Sequence, residues 1–145
     1  LIRESIYSDK LQSIKYIGGY KDSLYNDFGL LNESNYIYIG NFINSTKTGK
    51  CKVILKRINN MYEGDIRNNI LNGIGAYTTD TIKYTGEFVN NLMEGKGRLT
   101  FENKDEYEGE FLKGNKHNSG RYTSGDNYID LKYEEGLEIE SVYKY

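Results

Sequence analysis

Hydrophobic and polar positions along the chain follow a pattern that repeats itself. In Tyr62-Glu63-Gly64-Asp65-Ile66 an aromatic, a glycine and an aliphatic side chain alternate with acids, and Gly73-Ile74-Gly75-Ala76-Tyr77 alternates again further on. The same order returns in Tyr84-Thr85-Gly86-Glu87-Phe88 and Gly95-Lys96-Gly97-Arg98-Leu99. The template is Tyr, Gly at +2, aromatic or aliphatic at +4, Gly at +11 and +13, and hydrophobic at +15. Three further copies fit without gaps: Tyr16, Gly18, Tyr20, Asp27, Gly29, Leu31; then Tyr38, Gly40, Phe42, Gly49, Cys51, Val53; then Tyr107, Gly109, Phe111, Asn118, Gly120, Tyr122. Copies start at 16, 38, 62, 84 and 107, with spacings of 22, 24, 22 and 23 residues. Only Asp27, Cys51 and Asn118 depart from the template. Asp and Asn are the residues after glycine that best tolerate positive φ, so two of these departures preserve the backbone logic. A sixth start at Tyr128 decays, with Asp130 where glycine is expected.

Side chains two apart share one face of a strand, so Tyr, Gly and Phe at 0, +2 and +4 predict a strand with an aromatic face. The +11 to +15 stretch predicts a second strand. The six residues between, as in Arg67–Asn72 and Val89–Glu94, read as a hairpin turn. Glycines leave room for a neighbouring ring to lie flat on backbone and let the strand bend. One such hairpin is marginal in water, whereas stacked copies bury a continuous aromatic stripe. Ile6-Tyr7-Ser8-Asp9 followed by Ile14-Lys15-Tyr16 parallels Ala76-Tyr77-Thr78-Thr79 followed by Ile82-Lys83-Tyr84. Residues 1–15 are therefore expected to be the tail of a preceding repeat, in an excerpt of a longer chain. Residues 128–145 are expected to form a degenerate or capping hairpin, with Glu134-Glu135-Gly136 at its turn.

The pattern Tyr-x-Gly-x-Phe, then Gly-x-Gly-x-hydrophobic, resembles the MORN repeat (membrane occupation and recognition nexus) over roughly residues 16–133. Tyr62–Tyr77 and Tyr84–Leu99 are its best copies. The resemblance implies an all-β fold: an elongated, twisted antiparallel sheet of stacked hairpins, curved into an open groove. It also implies an interaction module, since members of the family were long suspected of binding acidic phospholipids. Others sit beside lipid-kinase, methyltransferase or cyclase domains, and some resemble end-to-end dimers.

Composition narrows the chemistry. The 145 residues are 37% hydrophobic and 14% aromatic, with 15 Tyr and no Trp or Pro. Aliphatic residues are too few for a thick core, so rings packed on glycines must do much of the burying. A net charge of −2 argues against generic nucleic-acid binding. One cysteine excludes an internal disulfide framework and suits a reducing compartment, and no apolar run reaches the ~18–20 residues of a membrane helix. Asn is frequent, at 16 residues. Together with Ile, Lys and Tyr it reads as a nucleotide-composition bias, without function.

No catalytic constellation stands out. The Gly-x-Gly pairs complete no phosphate-loop or dinucleotide pattern. His117 is the only histidine and Cys51 the only cysteine, so neither a triad nor a metal site is expected, and no cofactor. Cys51 fills a small-residue packing slot. Glu63, Asp65, Glu87, Glu108 and Glu110 sit at +1 and +3, opposite the aromatic face, and read as a solvated ladder.

Two binding candidates remain. Tyr16, Tyr20, Tyr38, Phe42, Tyr62, Tyr84, Phe88, Tyr107, Phe111 and Tyr128 should line one face, as core and as an open groove for a partner peptide or helix. Lys47, Lys50, Lys52, Lys56 and Arg57 form a cationic cluster that could contact an anionic lipid. The reading is a non-catalytic scaffold that docks a protein, or itself, through the groove or the terminal repeat. Its expected place is the cytoplasm, at cytoskeleton or membrane cortex. A regulatory segment of a larger enzyme and a phospholipid-binding adaptor are the alternatives.

Overall fold

A computed structural model describes residues 15–144; the expected tail of a preceding repeat lies, but for Lys15, outside the described residues. No helix occurs among them, and every described strand pairing is antiparallel. The chain divides into two compact units between Ile70 and Leu71. The first holds β1 (Tyr16–Lys21), β2 (Leu24–Asn32), β3 (Tyr36–Ile43), β4 (Thr46–Leu55) and β5 (Asn60–Arg67). The second holds β6 (Ile70–Thr78, entered at its first residue), β7 (Ile82–Val89), β8 (Leu92–Phe101), β9 (Glu106–Leu112), β10 (Asn115–Ser124), β11 (Asn127–Glu134) and β12 (Leu137–Lys144). Within each unit the strand order in the sheet is the order in the chain.

The turns are shorter than the six residues the sequence suggested. Strands run up to two-residue turns with both residues at positive φ: Asp22-Ser23, Asn44-Ser45, Asn68-Asn69, Asn90-Asn91, Lys113-Gly114 and Glu135-Gly136. Such turns match the right-handed twist of the flanking strands, so pairing continues to the corner and Ile70-Leu71-Asn72 belongs to β6. The second turn residue also ties its hairpin to the one before. Asn91 donates its backbone N–H to the Leu71 carbonyl at 3.0 Å while its Oδ1 accepts from Leu71 N–H at 2.8 Å. Asn69 clamps Lys47 in the same way, at 3.1 and 2.8 Å. Asparagine at these corners is thus structural, which corrects its reading as mere compositional bias.

The +11 slot has its own cause. The ladder slips by two residues after Gly18, Gly40 and Gly86, and between His117 and Gly120. The bulged residues Asp27, Gly49, Gly95 and Asn118 have φ of 60°, 79°, 60° and 50°. The slot therefore accepts Gly, Asp or Asn. Because two residues are inserted, the alternation of faces survives the bulge.

The core is a stripe of glycines covered by tyrosines. In the first unit Gly18, Gly29, Gly40, Cys51 and Gly64 are paired neighbours across five strands. In the second the row is Gly75, Gly86, Gly97, Gly109, Gly120 and Leu131. A Cβ added at Gly29 would lie 2.5 Å from the Tyr16 hydroxyl, and one at Gly97 or Gly120 would penetrate the ring of Tyr84 or Tyr107. The Tyr16, Tyr38, Tyr62 and Tyr84 hydroxyls donate to the carbonyl three residues on, at 3.0, 2.9, 2.8 and 3.0 Å. Phe42 meets Tyr16 and Tyr38 edge-on at 5.4 and 4.9 Å, and Phe111 meets Tyr84 and Tyr107 at 5.0 and 5.8 Å, the geometry that aromatic quadrupoles prefer.

Candidate functional site

The rings of the aromatic stripe are sealed over by side chains and serve as core. Tyr38, Tyr84 and Tyr107 are 0% exposed, and Tyr16, Tyr62, Phe42, Phe88 and Phe111 are buried. Residues at +9 close over the rings: Tyr25 stacks on Tyr16 at 3.9 Å, and the Lys47 and Lys116 ammonium groups lie 5.5 and 4.2 Å from the Tyr38 and Tyr107 centroids. Burial pushes the Tyr16, Tyr84 and Tyr107 phenols up to about 12, and Tyr38 and Tyr62 further. Of the ten residues, Tyr20 is exposed, and Tyr128 is not on this face, which corrects its place in the stripe: the register that sets Leu131 beside Gly120 pairs Tyr128 with Thr123, opposite the tyrosines, where the Arg121 guanidinium lies 4.0 Å from its ring centre. In the fifth copy the buried Tyr107 hydroxyl has no hydrogen-bond partner. Cys51 is buried in the glycine row, its thiol pushed up by burial to about 11, which suits packing and not nucleophilic chemistry.

The five cations do not form one surface. Lys47 is on the aromatic side, donating to the Tyr36 hydroxyl at 3.0 Å. Lys50 and Lys52 are on the opposite face, paired with Asp65 at 2.7 Å and Glu63 at 3.4 Å. Lys56 donates to Asn32 Oδ1 and to the Glu33 carbonyl, both at 2.5 Å. Arg57 is exposed in the turn after β4. The signal for Lys47 was available, since it shares parity with Cys51 and Val53.

The acids opposite the tyrosines are not a bare negative surface either. In the second unit the register aligns Thr85, Arg98, Glu108, Arg121, Asp130 and Val142 in one row across β7 to β12. Arg98 meets Glu108 at 2.8 Å, Arg121 meets Asp130 at 2.6 Å, and Lys132 meets Glu140 at 2.6 Å. These side chains line a groove of about 1110 Å³, floored by the backbone of Gly97, Gly109 and Gly120 and walled by Lys83, Thr100 and Thr123. Charges alternate in sign from strand to strand and stay substantially exposed, so each pair contributes roughly 0–1 kcal/mol and can exchange partners. Arg98, Arg121 and Asp130 were missed as site residues. Parity placed them opposite the tyrosines, but only the cross-strand register sets them in a row.

The MORN repeat model matches residues 62–80, 84–106 and 107–127. Three consecutive MORN repeats thus occupy residues 62–127. MORN repeats are protein- and membrane-interaction modules, and the copies starting at Tyr16 and Tyr38 repeat the same tyrosine-on-glycine packing in this chain. No curated protein matches the chain. Among the described residues no group of His, Cys, Asp and Glu is arranged to hold a metal ion, and no helix is long and apolar enough to cross a membrane.

Proposed function

We propose that this MORN-repeat chain is a non-catalytic docking module that presents the face opposite its tyrosines to a partner protein. The observation that carries the reading is the charge-laddered groove of the second unit, on the face that folding leaves free. The aromatic face offers no comparable surface, because its rings are already buried. The balanced ladder favours a protein over an anionic bilayer, since cations and anions alternate within a few ångströms and give no positive field. The cytoskeleton or membrane cortex expected from the family is the setting for such a module.

Partner capture by the full chain tests the reading. Arg98→Glu with Arg121→Glu should abolish capture while the melting temperature stays within a few degrees, because both side chains are exposed. Lys47→Gln, on the opposite face, should leave capture intact. Capture insensitive to the double reversal would sink the reading. Salt-sensitive co-flotation with phosphoinositide vesicles, lost on neutralising Lys50, Lys52 and Arg57, would move the function to lipid.

A further inference from the structure

We infer that the groove of the second unit takes a single α-helix of the partner, lying across the strands with its charges in register with the ladder; this rests on the docking reading above. The groove's dimensions point to a helix. Its lining reaches from β7 to β12, five strand spacings or about 24 Å at ~4.8 Å each. Along a strand it reaches only from Lys96 to Thr100, about 13 Å at ~3.3 Å per residue. A helix with its side chains is about 10–12 Å wide, and roughly 16 residues span 24 Å. The long axis of the groove therefore crosses the strands and matches one helix of about four turns.

The ladder supplies the register. Along the central row Arg98, Glu108, Arg121 and Asp130 stand on successive strands, plus, minus, plus, minus. A helix places one side chain per turn over this row, every ~5.4 Å against ~4.8 Å for the strands. The mismatch is about 0.6 Å per strand and about 2 Å over the three steps, within the reach of Glu, Lys and Arg side chains. An extended peptide laid the same way repeats every ~6.8 Å and loses the register by the second step. The complementary helix carries Glu, Lys, Glu and Lys at i, i+4, i+7 and i+11. The same spacing lets its Glu–Lys pairs stabilise the helix itself, so it reaches the groove folded.

Two synthetic 16-residue helices of identical composition test the inference against the full chain by fluorescence anisotropy. One alternates Glu-Lys-Glu-Lys along the face, and the other is blocked as Glu-Glu-Lys-Lys. In either direction the blocked helix sets two of its four charges against like charges. The wild-type chain should bind the alternating helix about tenfold more tightly at low salt, with the preference shrinking in 0.5 M salt. Glu108→Arg with Arg121→Glu turns the row into two cations followed by two anions without changing net charge, and should reverse the preference. If that variant does not fold, the wild-type preference and its salt dependence decide. Equal affinity for both helices overturns the register while leaving docking on this face intact. Binding of neither overturns the helix. The docking reading itself falls only if partner capture ignores Arg98→Glu with Arg121→Glu.

Discussion

The two units share one face and differ on the other. Both seal tyrosines over a row of glycines, with the same turn clamps and, in every copy but the fifth, the same hydroxyl-to-carbonyl bond. On the opposite face, the row in the first unit is Ile17, Leu30, Ile39, Lys52 and Glu63, flanked by Ile37, Ile54 and Met61 on successive strands. Phe28, in the first bulge, is 63% exposed. The matching row in the second unit is Thr85, Arg98, Glu108, Arg121 and Asp130. Charge follows the same division: ten Lys and Arg against seven Asp and Glu through residue 70, then nine against fourteen. One face is constrained by the ring-on-glycine fit, while the residues between the template positions are free to vary, and that is where two units of one fold acquire different surfaces.

If the sealed face is common to both units, alkali should unfold them together. The folded state holds the neutral phenol, so this stability is complete below pH 10 and is lost as pH rises through about 12, where Tyr16, Tyr84 and Tyr107 titrate. These three lose about 4 kcal/mol per pH unit together, against a total of roughly 5–15 kcal/mol for a typical domain. Tyrosinate absorbance and amide NMR signals from both units should change in one transition before pH 12. Two separate transitions would break the equivalence.

Single changes in the sealed face come next. Tyr38→Ala in the first unit and Tyr84→Ala in the second should each cost about 3–5 kcal/mol in urea denaturation, with similar values. Gly97→Ala, which drives a methyl into the Tyr84 ring, should cost about 1–3 kcal/mol. At the corners, Asn69→Ala and Asn91→Ala each force a Cβ-bearing residue without a local polar side chain to hold positive φ, and should cost about 1–2 kcal/mol. Smallest are the changes on the divergent face. Ile39→Thr with Phe28→Ser, and Arg98→Thr alone, should each move stability by about 0.5 kcal/mol or less. The first pair should reduce binding of a hydrophobic dye and the other should not. Equal dye responses would show that the apolar patch is not special to the first unit.

Much of this was legible from residue types and spacing. Tyr, Gly and Phe at 0, +2 and +4 gave the strands, the aromatic face and the ring-on-glycine fit, because period-two alternation is local. Asp27 and Asn118 in glycine slots were legible as positive-φ positions for the same reason. The sealing of the stripe was not, since it depends on +9 residues such as Tyr25, Lys47 and Lys116 folding back over rings of their own hairpin. The apparent cationic cluster was adjacency along the chain, which a strand splits between its faces. The charge ladder needed the register of five strands, which rests on where each two-residue turn and each bulge falls.

The coincidence of strand order with chain order also governs how the molecule assembles. All-β proteins usually fold slowly, in milliseconds to seconds, because their strands must find partners far along the chain. Here each strand meets its partner across a turn, and the corner clamps reach back only 18 to 22 residues. Loop-closure entropy is therefore met in small, similar steps, and each completed hairpin offers an edge on which the next can form. Stopped-flow refolding of this chain should be faster than that of an immunoglobulin-like sandwich of equal stability, and adding one 22-residue repeat should leave its rate nearly unchanged.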